Sequence, residues 1–185
     1  GMNIVANDDN NKLLKSDKME PIPNPNNIGG HPVWNLRVKT PQTEAAVVPW
    51  HQDCAYLDPC ADNVLQLTAW VPLIEEVNEE NGCMQVMPRA HHDGSGNKVV
   101  VNHTGCWRNT WYVEMDMDHA KQVLDGSCLD ESKWTTCNMK RGDVLFFSNL
   151  LPHRSLPNLS STIRWSLDLR WQLMNQPNGF DAIKP

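Results

Sequence analysis

Residues 163–171 alternate strictly between polar and apolar side chains, and this alternation is the strongest constraint that the sequence places on the fold. Successive side chains of an extended chain point to opposite faces, so the pattern predicts a β-strand with one polar and one apolar face. The polar positions are Arg164, Ser166, Asp168 and Arg170. The apolar positions are Trp165, Leu167, Leu169 and Trp171. If the polar face points into the domain, the apolar face must point outward.

Other short segments with alternating or apolar sequence are predicted strands. They are residues 34–39, 47–53, 64–74, 83–87 and 142–147. One short helix is predicted at 115–124. Many short strands, separated by turn signals in a chain with 13 Pro and 10 Gly, predict a mostly β fold of the β-sandwich or jelly-roll type with few helices.

The chain of 185 residues is long enough for one domain with a substantial core. Residues 1–33 are polar and rich in Asn and Pro, so we predict an irregular N-terminal arm. The jelly-roll domain is expected at 34–175 and a C-terminal tail at 176–185. Residues 93–140, called the lid stretch below, are the least regular part. A lid or substrate wall is expected there, with a variable surface insertion as the alternative.

Charge and composition exclude several classes of protein. A formal net charge of −6 argues against a nucleic-acid partner, because binding to phosphate backbones needs clustered Lys and Arg. No apolar run is long enough to predict a membrane span. Six Cys without a C-x-x-C pair, and an N-terminus without the basic and apolar blocks of a signal peptide, favour a reduced protein of the cytoplasm.

Two histidines and one aspartate are the candidate metal ligands. His51 and Asp53 are two positions apart, so in an extended chain the imidazole and the carboxylate face the same side. His153, which follows the predicted strand at 142–147, is the candidate third ligand. Two imidazoles and one carboxylate form the ligand set of many non-heme Fe(II) sites, and this set leaves positions open for a chelating cosubstrate and O₂.

Arg164 and Ser155 are the candidate partners of an anionic cosubstrate. We expect a hairpin with His153 and Ser155 on its first strand and Arg164 on the facing strand. The guanidinium and the hydroxyl would then hold the far carboxylate of a dicarboxylate whose other end chelates the metal. A zinc hydrolase with the same three ligands is an alternative, but it leaves Arg164 and Ser155 without a role.

The remaining histidines have simpler interpretations. His91 and His92 follow a strand end and are expected at the surface or in a turn. His103 and His119 lie in the lid stretch, where either one is a candidate substrate contact.

Three ordered blocks of the sequence resemble the phytanoyl-CoA dioxygenase family of Fe(II)- and 2-oxoglutarate-dependent oxygenases. The first block is Trp50-His51-Gln52-Asp53. The second joins Thr68-Ala69-Trp70-Val71-Pro72-Leu73 to Glu80-Asn81-Gly82-Cys83-Met84-Gln85-Val86-Met87-Pro88. The third joins residues 142–147 to Pro152-His153-Arg154-Ser155 and Arg164. Together the blocks cover residues 34–92 and 138–172.

The resemblance implies a double-stranded β-helix, which is a cupin-like jelly roll, with Fe(II) bound by His51, Asp53 and His153. The residues that it implies for binding 2-oxoglutarate are Arg164, Ser155 and Trp70. The implied reaction hydroxylates a small-molecule substrate with O₂ and releases succinate and CO₂. A carboxylate at position 53 argues for hydroxylation, because related halogenases carry a small residue there. The identity of the substrate does not follow from the family.

Some features depart from the family pattern. Arg89 stands where the family often has Gly, and it could reach the site. Only a short region precedes His51, and Asn35 and Lys39 within it are the candidates for further cosubstrate contacts. A non-catalytic jelly roll that binds metal or ligand, or a truncated inactive member of the family, is therefore the alternative to an enzyme.

The outward apolar face of residues 163–171 is expected to be covered, because large apolar patches are rarely left bare. The candidate covers are a helix of the lid stretch, a second subunit in a homodimer, and further N-terminal sequence.

Overall fold

The computed structural model describes residues 27–93, 95–105 and 107–180. The strands of this part of the chain are β1 (Ile28–Gly30), β2 (Asn35–Lys39), β3 (Leu67–Pro72), β4 (Glu76–Val77), β5 (Met84–Val86), β6 (His103–Thr104), β7 (Glu114–Met115), β8 (Thr135–Cys137), β9 (Met139–Lys140), β10 (Leu145–Ser148), β11 (His153–Ser155) and β12 (Arg164–Leu173). The α-helix α1 spans Met117–Val123. Short 3-10 helices lie at Glu44–Ala46, Asp53–Tyr56, Pro59–Ala61, Trp107–Asn109, Gly126–Leu129 and Glu131–Lys133.

The main sheet is built around β12, the segment whose alternation predicted a strand. The strand order is β1-β12-β3-β10, and β2 also pairs with β12. All of these pairings are antiparallel. The polar positions of β12 are buried, and so are Thr68 and Trp70 of β3. The polar face of the sheet therefore points into the domain, where its side chains must find partners because an unpaired buried polar group is costly.

A smaller sheet of order β11-β5-β8 faces the main one. Side chains from both sheets meet in one hydrophobic cluster: Trp70, Val77, Cys83, Met84, Met139 and Phe147. Two antiparallel sheets that share a core in this way form a β-sandwich, the architecture to which jelly rolls belong. In the described residues the sheets stay separate and do not join into a closed barrel. The prediction of a mostly β, jelly-roll fold with few short helices is confirmed.

Two expectations about strand pairing are wrong. Residues 47–53 form an extended segment with one isolated bridge, at His51, and a 3-10 helix begins at Asp53. The predicted hairpin of His153 and Arg164 is also absent, because β11 pairs with β5 while β12 pairs with β2 and β3. Residues 156–163 connect the two sheets instead, where Leu159 N donates to the carbonyl of Glu80.

The predicted N-terminal arm is partly regular. Residues 28–30 form β1, which pairs with the end of β12, so the irregular assignment is wrong for them. Local sequence hides this strand because Gly29 and Gly30 carry no strand signal. The first 26 residues of the arm and the last five of the tail lie outside the described residues.

The lid stretch packs against the rest of the domain and forms a second hydrophobic core with it. Side chains of α1 and its neighbours meet Trp50 and Met87 in a cluster that includes Val99, Val101, Met115, Ala120, Leu124 and Cys128. Asp116 caps α1, because its carboxylate accepts hydrogen bonds from the backbone N–H groups of Asp118 and His119. The end of the stretch belongs to the sheets, since β8 pairs with β5 and β9 with β4.

The outer face of the main sheet is apolar and exposed. Leu36 is 57% exposed, Phe146 53% and Trp165 38%. Helix α1 packs into the core of the lid stretch, so that helix does not cover the face. Among the described residues, no helix is long and apolar enough to cross a membrane.

Candidate metal centre and cosubstrate pocket

His51 and His153 are held opposite each other by the backbone. They form an antiparallel bridge in which His51 N donates to the carbonyl of His153 at 3.0 Å and His153 N donates to that of His51 at 2.9 Å. The ring centroids are 4.1 Å apart. Two residues far apart in sequence thus present their imidazoles side by side because their main chains are directly paired.

Asp53 joins the two histidines through the conformation of Gln52. Gln52 is extended, with φ −108° and ψ 136°, so the side chains of His51 and Asp53 fall on the same side. Oδ1 of Asp53 lies 3.7 Å from Nε2 of His51 and 3.8 Å from Nε2 of His153. One ligand atom from each of the three residues lies within 4.8 Å of the others, which suits a shared metal ion.

The protonation states of these groups fit a divalent metal. Nδ1 of His51 lies 2.9 Å from the carbonyl of Pro49, and Nδ1 of His153 lies 2.9 Å from that of Leu151. With a proton on each Nδ1, each Nε2 lone pair is free for a metal. Burial, and next the neighbouring His51, lower the pKa of His153 to about 3, so its imidazole is neutral. Metal ligands must be deprotonated in this way.

The second oxygen of Asp53 is fixed by two residues that sequence reasoning missed. Oδ2 accepts a hydrogen bond from Thr68 Oγ1 at 3.0 Å and from Arg170 Nη2 at 3.1 Å. Burial alone would raise the pKa of the Asp53 carboxyl, but Arg170 and the two histidines hold it well below its usual value. The available signal was that Arg170 shares the inward face of β12 with Arg164.

Arg164 begins β12 and lies deep in the same cavity, which has a volume of about 250 Å³. Its guanidinium lies 5.3 Å from the ring centroid of Trp70. It donates to Ser166 Oγ at 2.6 Å and to the carbonyl of Gly82 at 3.1 Å. Its Nε is buried and has no hydrogen-bond partner among the described residues. Burial lowers the pKa of Arg164 to about 10, which still leaves it charged. A buried cation with an unused donor fits an anionic ligand.

All six residues that the sequence suggested for the site line this one cavity. They are His51, Asp53, Trp70, His153, Ser155 and Arg164. Ser155 is buried, and its Oγ accepts a hydrogen bond from the backbone N–H of Val48 at 3.2 Å. The hydroxyl hydrogen of Ser155 remains available for a ligand, because a hydroxyl can donate and accept at once.

Asn35, Lys39 and Arg89, the further candidates for contacts in the site, lie in three different places. Lys39 lines the cavity, but its ammonium donates to the carbonyls of Ala46 and Leu156 at 2.7 and 2.8 Å. Burial, and then the charge of Arg164, lower the pKa of Lys39 to about 7. Asn35 lines a second cavity. Arg89 is exposed and lines neither cavity, so the expectation that it could reach the site is not supported.

Gln52, which lies between His51 and Asp53, makes hydrogen bonds to two other parts of the chain. It is fully buried, and its amide group donates to the carbonyls of Val99 and Leu150 at 2.9 and 2.6 Å. Its side-chain oxygen accepts a hydrogen bond from Val101 N at 2.8 Å. The segment that carries His51 and Asp53 is thereby tied to the lid stretch and to the loop before His153.

Gly82 allows the cavity wall to close over Arg164. Its φ is +86°, and a Cβ at this position would lie 2.6 Å from a side-chain carbon of Lys39 and 2.7 Å from the carbonyl oxygen of Leu156. Only glycine adopts this backbone conformation readily and leaves this space. The Gly82 carbonyl can therefore approach and bind the Arg164 guanidinium.

The other histidines lie outside the metal cluster. The rings of His91 and His92 are in contact, with centroids 4.2 Å apart. His103 accepts a hydrogen bond from Gln52 N at 3.0 Å through Nε2, and its Nδ1 lies 2.8 Å from the carbonyl of Val101. Within the described ranges, only His51, Asp53 and His153 form a group of three side chains suited to a metal.

The chain is similar to known proteins in both sequence and structure. A 1-deoxypentalenic acid 11-beta-hydroxylase of Streptomyces arenae is 29% identical over 142 residues, which cover 75% of this chain and 46% of that protein. Phytanoyl-CoA dioxygenase domain-containing protein 1 of Danio rerio is 27% identical over 128 residues, covering 68% and 39%. This chain therefore spans less than half the length of these two relatives.

The fold is also found in solved structures. EvdO2 from Micromonospora carbonacea var. aurantiaca, crystallised in complex with 2-oxoglutarate, aligns with a TM-score of 0.58 at 23% identity, covering 80% of this chain and 53% of that one. The sequence profile of the family described as phytanoyl-CoA dioxygenase (PhyH) matches residues 5–166. Because this match takes in most of the chain, including His51, Asp53, His153 and Arg164, the chain belongs to the phytanoyl-CoA dioxygenase (PhyH) family.

Proposed function

We propose that this chain is an Fe(II)- and 2-oxoglutarate-dependent dioxygenase that hydroxylates a small molecule and releases succinate and CO₂. The observation that carries the proposal is the placement of a buried His-Asp-His cluster and a buried guanidinium in one cavity. Family membership and the 2-oxoglutarate complex of a structural neighbour support it.

Each residue of the cavity has a defined part in this reaction. His51, Asp53 and His153 would hold Fe(II), and Arg164 and Ser155 would bind the far carboxylate of 2-oxoglutarate. When bound, the iron and the cosubstrate together activate O₂, so that one oxygen atom enters succinate and the other enters the substrate hydroxyl.

Apolar side chains form part of the cavity wall. Trp70, Met84 and Phe147 line it with apolar surface, and the ring of Phe147 lies 4.5 Å from that of His153. Apolar surface beside Arg164 strengthens the electrostatic contact that would hold a charged cosubstrate.

The test separates metal binding, cosubstrate binding and turnover in the full chain. Anaerobic titration with Fe(II) and then 2-oxoglutarate should show binding of both, and O₂ should then yield succinate even without substrate. His51→Ala and Asp53→Ala should lose metal binding. Arg164→Gln should keep the metal and lose most affinity for 2-oxoglutarate, while the exposed control Arg141→Gln should resemble the wild type.

The rival function is a non-catalytic jelly roll that binds metal or ligand. This alternative draws on the partial match, because the aligned region covers less than half of each of the two relatives. Intact metal binding without 2-oxoglutarate binding or succinate formation would favour the rival and overturn the oxygenase proposal.

We further infer that a second copy of the chain covers the exposed outer face of the main sheet, giving a homodimer. The exposure of Leu36, Phe146 and Trp165 supports this inference, because apolar patches of this kind usually mark interfaces. Light scattering after gel filtration should give a dimer mass, and the double variant Leu36→Lys, Phe146→Lys should give a monomer. A wild-type monomer at all concentrations would contradict it.

We propose that the jelly-roll domain, expected at 34–175, also includes β1 (Ile28–Gly30), because this strand pairs with β12, and that the lid stretch 93–140 forms a wall of the site. We also infer a reducing, cytoplasmic setting, which the free thiols of the buried Cys54, Cys83 and Cys128 support. Fractionation of the host cells with an antibody against the chain would test this location.

A further inference from the structure

A second cavity of about 260 Å³ adjoins the candidate metal centre. Arg37, Asp53 and Arg170 line both cavities, so the metal ligand Asp53 lies on their common border. The rest of the second cavity is largely apolar and aromatic. Its apolar and aromatic side chains are Val33, Tyr56, Leu57, Trp111 and Phe180. If the first cavity takes the cosubstrate, the second is the adjoining space from which a substrate can reach the metal.

Arg37 has a fixed position and spare donors at this border. Its Nε donates to Asp168 Oδ2 at 2.7 Å, and its guanidinium carbon lies 5.3 Å from the ring centroid of Trp111. The terminal nitrogens of Arg37 make no hydrogen bond to protein within the described ranges, and 27% of the side chain is exposed. A guanidinium held in place with both terminal nitrogens unused is ready to form a two-pronged contact with a carboxylate.

Aromatic rings extend from the metal centre to this guanidinium. The rings of His51 and Tyr56 have centroids 5.6 Å apart, and those of Tyr56 and Trp111 are also 5.6 Å apart. Tyr56 is fixed because its hydroxyl accepts a hydrogen bond from Val113 N at 3.1 Å. The rings of Tyr56 and Trp111 thus form an apolar surface between His51 and the guanidinium of Arg37.

The charge balance of the two cavities favours an anionic substrate. The basic residues that line them are Arg37, Lys39, Arg164 and Arg170. The acidic residues are Asp53 and Asp168. The charges of Fe(II) and of the 2-oxoglutarate dianion cancel each other. One positive charge is therefore left even when Lys39, whose pKa is lowered to about 7, is neutral. An anionic group would balance this charge, and its attraction to the guanidinium is stronger beside apolar surface than in open water.

We propose that the second cavity binds the primary substrate, that this substrate is a small apolar molecule bearing a carboxylate, and that Arg37 binds that carboxylate. The proposal rests on the function proposed above, since it assigns the first cavity to 2-oxoglutarate. Arg37 is then the residue that selects acids over neutral analogues, and the surface of Tyr56 and Trp111 carries the apolar body toward the metal.

The experiment uses the full chain loaded with Zn(II), which does not turn over. Calorimetric titration with 2-oxoglutarate comes first and tests the proposed function alone. The protein saturated with 2-oxoglutarate is then titrated with cyclohexanecarboxylate and with its neutral analogue cyclohexanecarboxamide. The variants are Arg37→Gln and Arg37→Lys, with the surface variant Arg141→Gln as the matched control.

We expect the wild type and Arg141→Gln to bind the acid about tenfold more tightly than the amide, as a charge-assisted contact gives. Arg37→Gln should bind the two equally, and Arg37→Lys should retain part of the preference. The affinity for 2-oxoglutarate should be the same in all four proteins, which also shows that each variant is folded.

Three outcomes would overturn the assignment of Arg37: equal affinity of the wild type for acid and amide, an acid preference that survives in Arg37→Gln, or a loss of 2-oxoglutarate affinity in Arg37→Gln. The last result would make Arg37 a cosubstrate residue. Failure of 2-oxoglutarate to bind the wild type would instead overturn the proposed function.

Discussion

Thr68 has one clear task at the residue scale, which is to orient the Asp53 carboxylate. Its hydroxyl donates to Oδ2 and leaves Oδ1 facing the histidines. Thr68→Val keeps the shape of the side chain and removes that bond. We expect the affinity for Fe(II) or Co(II) to fall about tenfold, as is typical when a partner of a metal ligand is lost.

Metal titration followed by calorimetry would measure this effect. Thr135→Val is the matched control, because Thr135 is an exposed strand residue away from the cavity. Equal metal affinities for Thr68→Val and the control would show that Arg170 alone orients Asp53.

Gln52 is the residue whose loss should matter most for stability near the site. Its amide makes three buried hydrogen bonds, to the backbone at Val99, Leu150 and Val101. Gln52→Ala leaves these groups unpaired, so we expect the free energy of unfolding to fall by about 3 kcal/mol. Urea denaturation measures the change. Gln122→Ala, on the exposed side of α1, should be nearly neutral, and a similar loss in both variants would contradict the role of the buried amide.

At the scale of secondary-structure elements, Arg154 of β11 contacts the lid stretch through Trp134. Its guanidinium lies 4.8 Å from the ring centroid of Trp50 and 5.3 Å from that of Trp134, and its Nε donates to Gln85 at 2.8 Å. Arg154→Ala should therefore lower the stability by about 1–2 kcal/mol. Amide hydrogen exchange should become faster mainly at 117–134, where α1 and the following 3-10 helices pack.

The same exchange measurement supplies the control for this element. Arg141→Ala removes an exposed ion pair with Glu75 and should leave exchange at 117–134 unchanged. Uniform loss of protection across the main sheet and the lid stretch in Arg154→Ala would show that the two unfold as one unit, contrary to the expectation.

The whole molecule should lose stability in mild acid. Burial lowers the pKa of His103 to about 4, and a protonated Nε2 could not accept the hydrogen bond from Gln52 N. The unfolded chain binds this proton below about pH 6.5, while the folded chain binds it only near pH 4. Between these values the unfolded state holds more protons, so stability falls as the pH falls, by about 1.4 kcal/mol per pH unit for each such histidine.

Urea denaturation of the metal-free protein from pH 8 to pH 5 tests this sign. His103→Gln should show a smaller loss of stability below pH 6.5 than the wild type, since one histidine no longer contributes. His153 adds a second contribution in the same direction. From pH 7 to 8 the difference between the two proteins should be constant. A wild type that is equally stable at pH 5 and pH 7 would contradict the prediction.

The alternation of residues 163–171 determined, by itself, that β12 has two unlike faces, because side-chain direction in a strand follows from local geometry alone. The spacing of His51 and Asp53 likewise placed both groups on one side, since it needs only that Gln52 be extended. The three family blocks pointed to His153, Ser155 and Arg164 as members of the same site. These conclusions depend on neighbours in sequence or on motifs.

Only the tertiary structure decided which strands pair and which side chains contact the residues of the site. The placement of β11 beside β5, away from β12, depends on hydrogen bonds between residues distant in sequence, and local periodicity carries no information about them. The same holds for Thr68 and Arg170 on Asp53, and for Arg37 on Trp111. The sequence gives the type of each side chain, but the residue that it contacts depends on how the two sheets pack against each other.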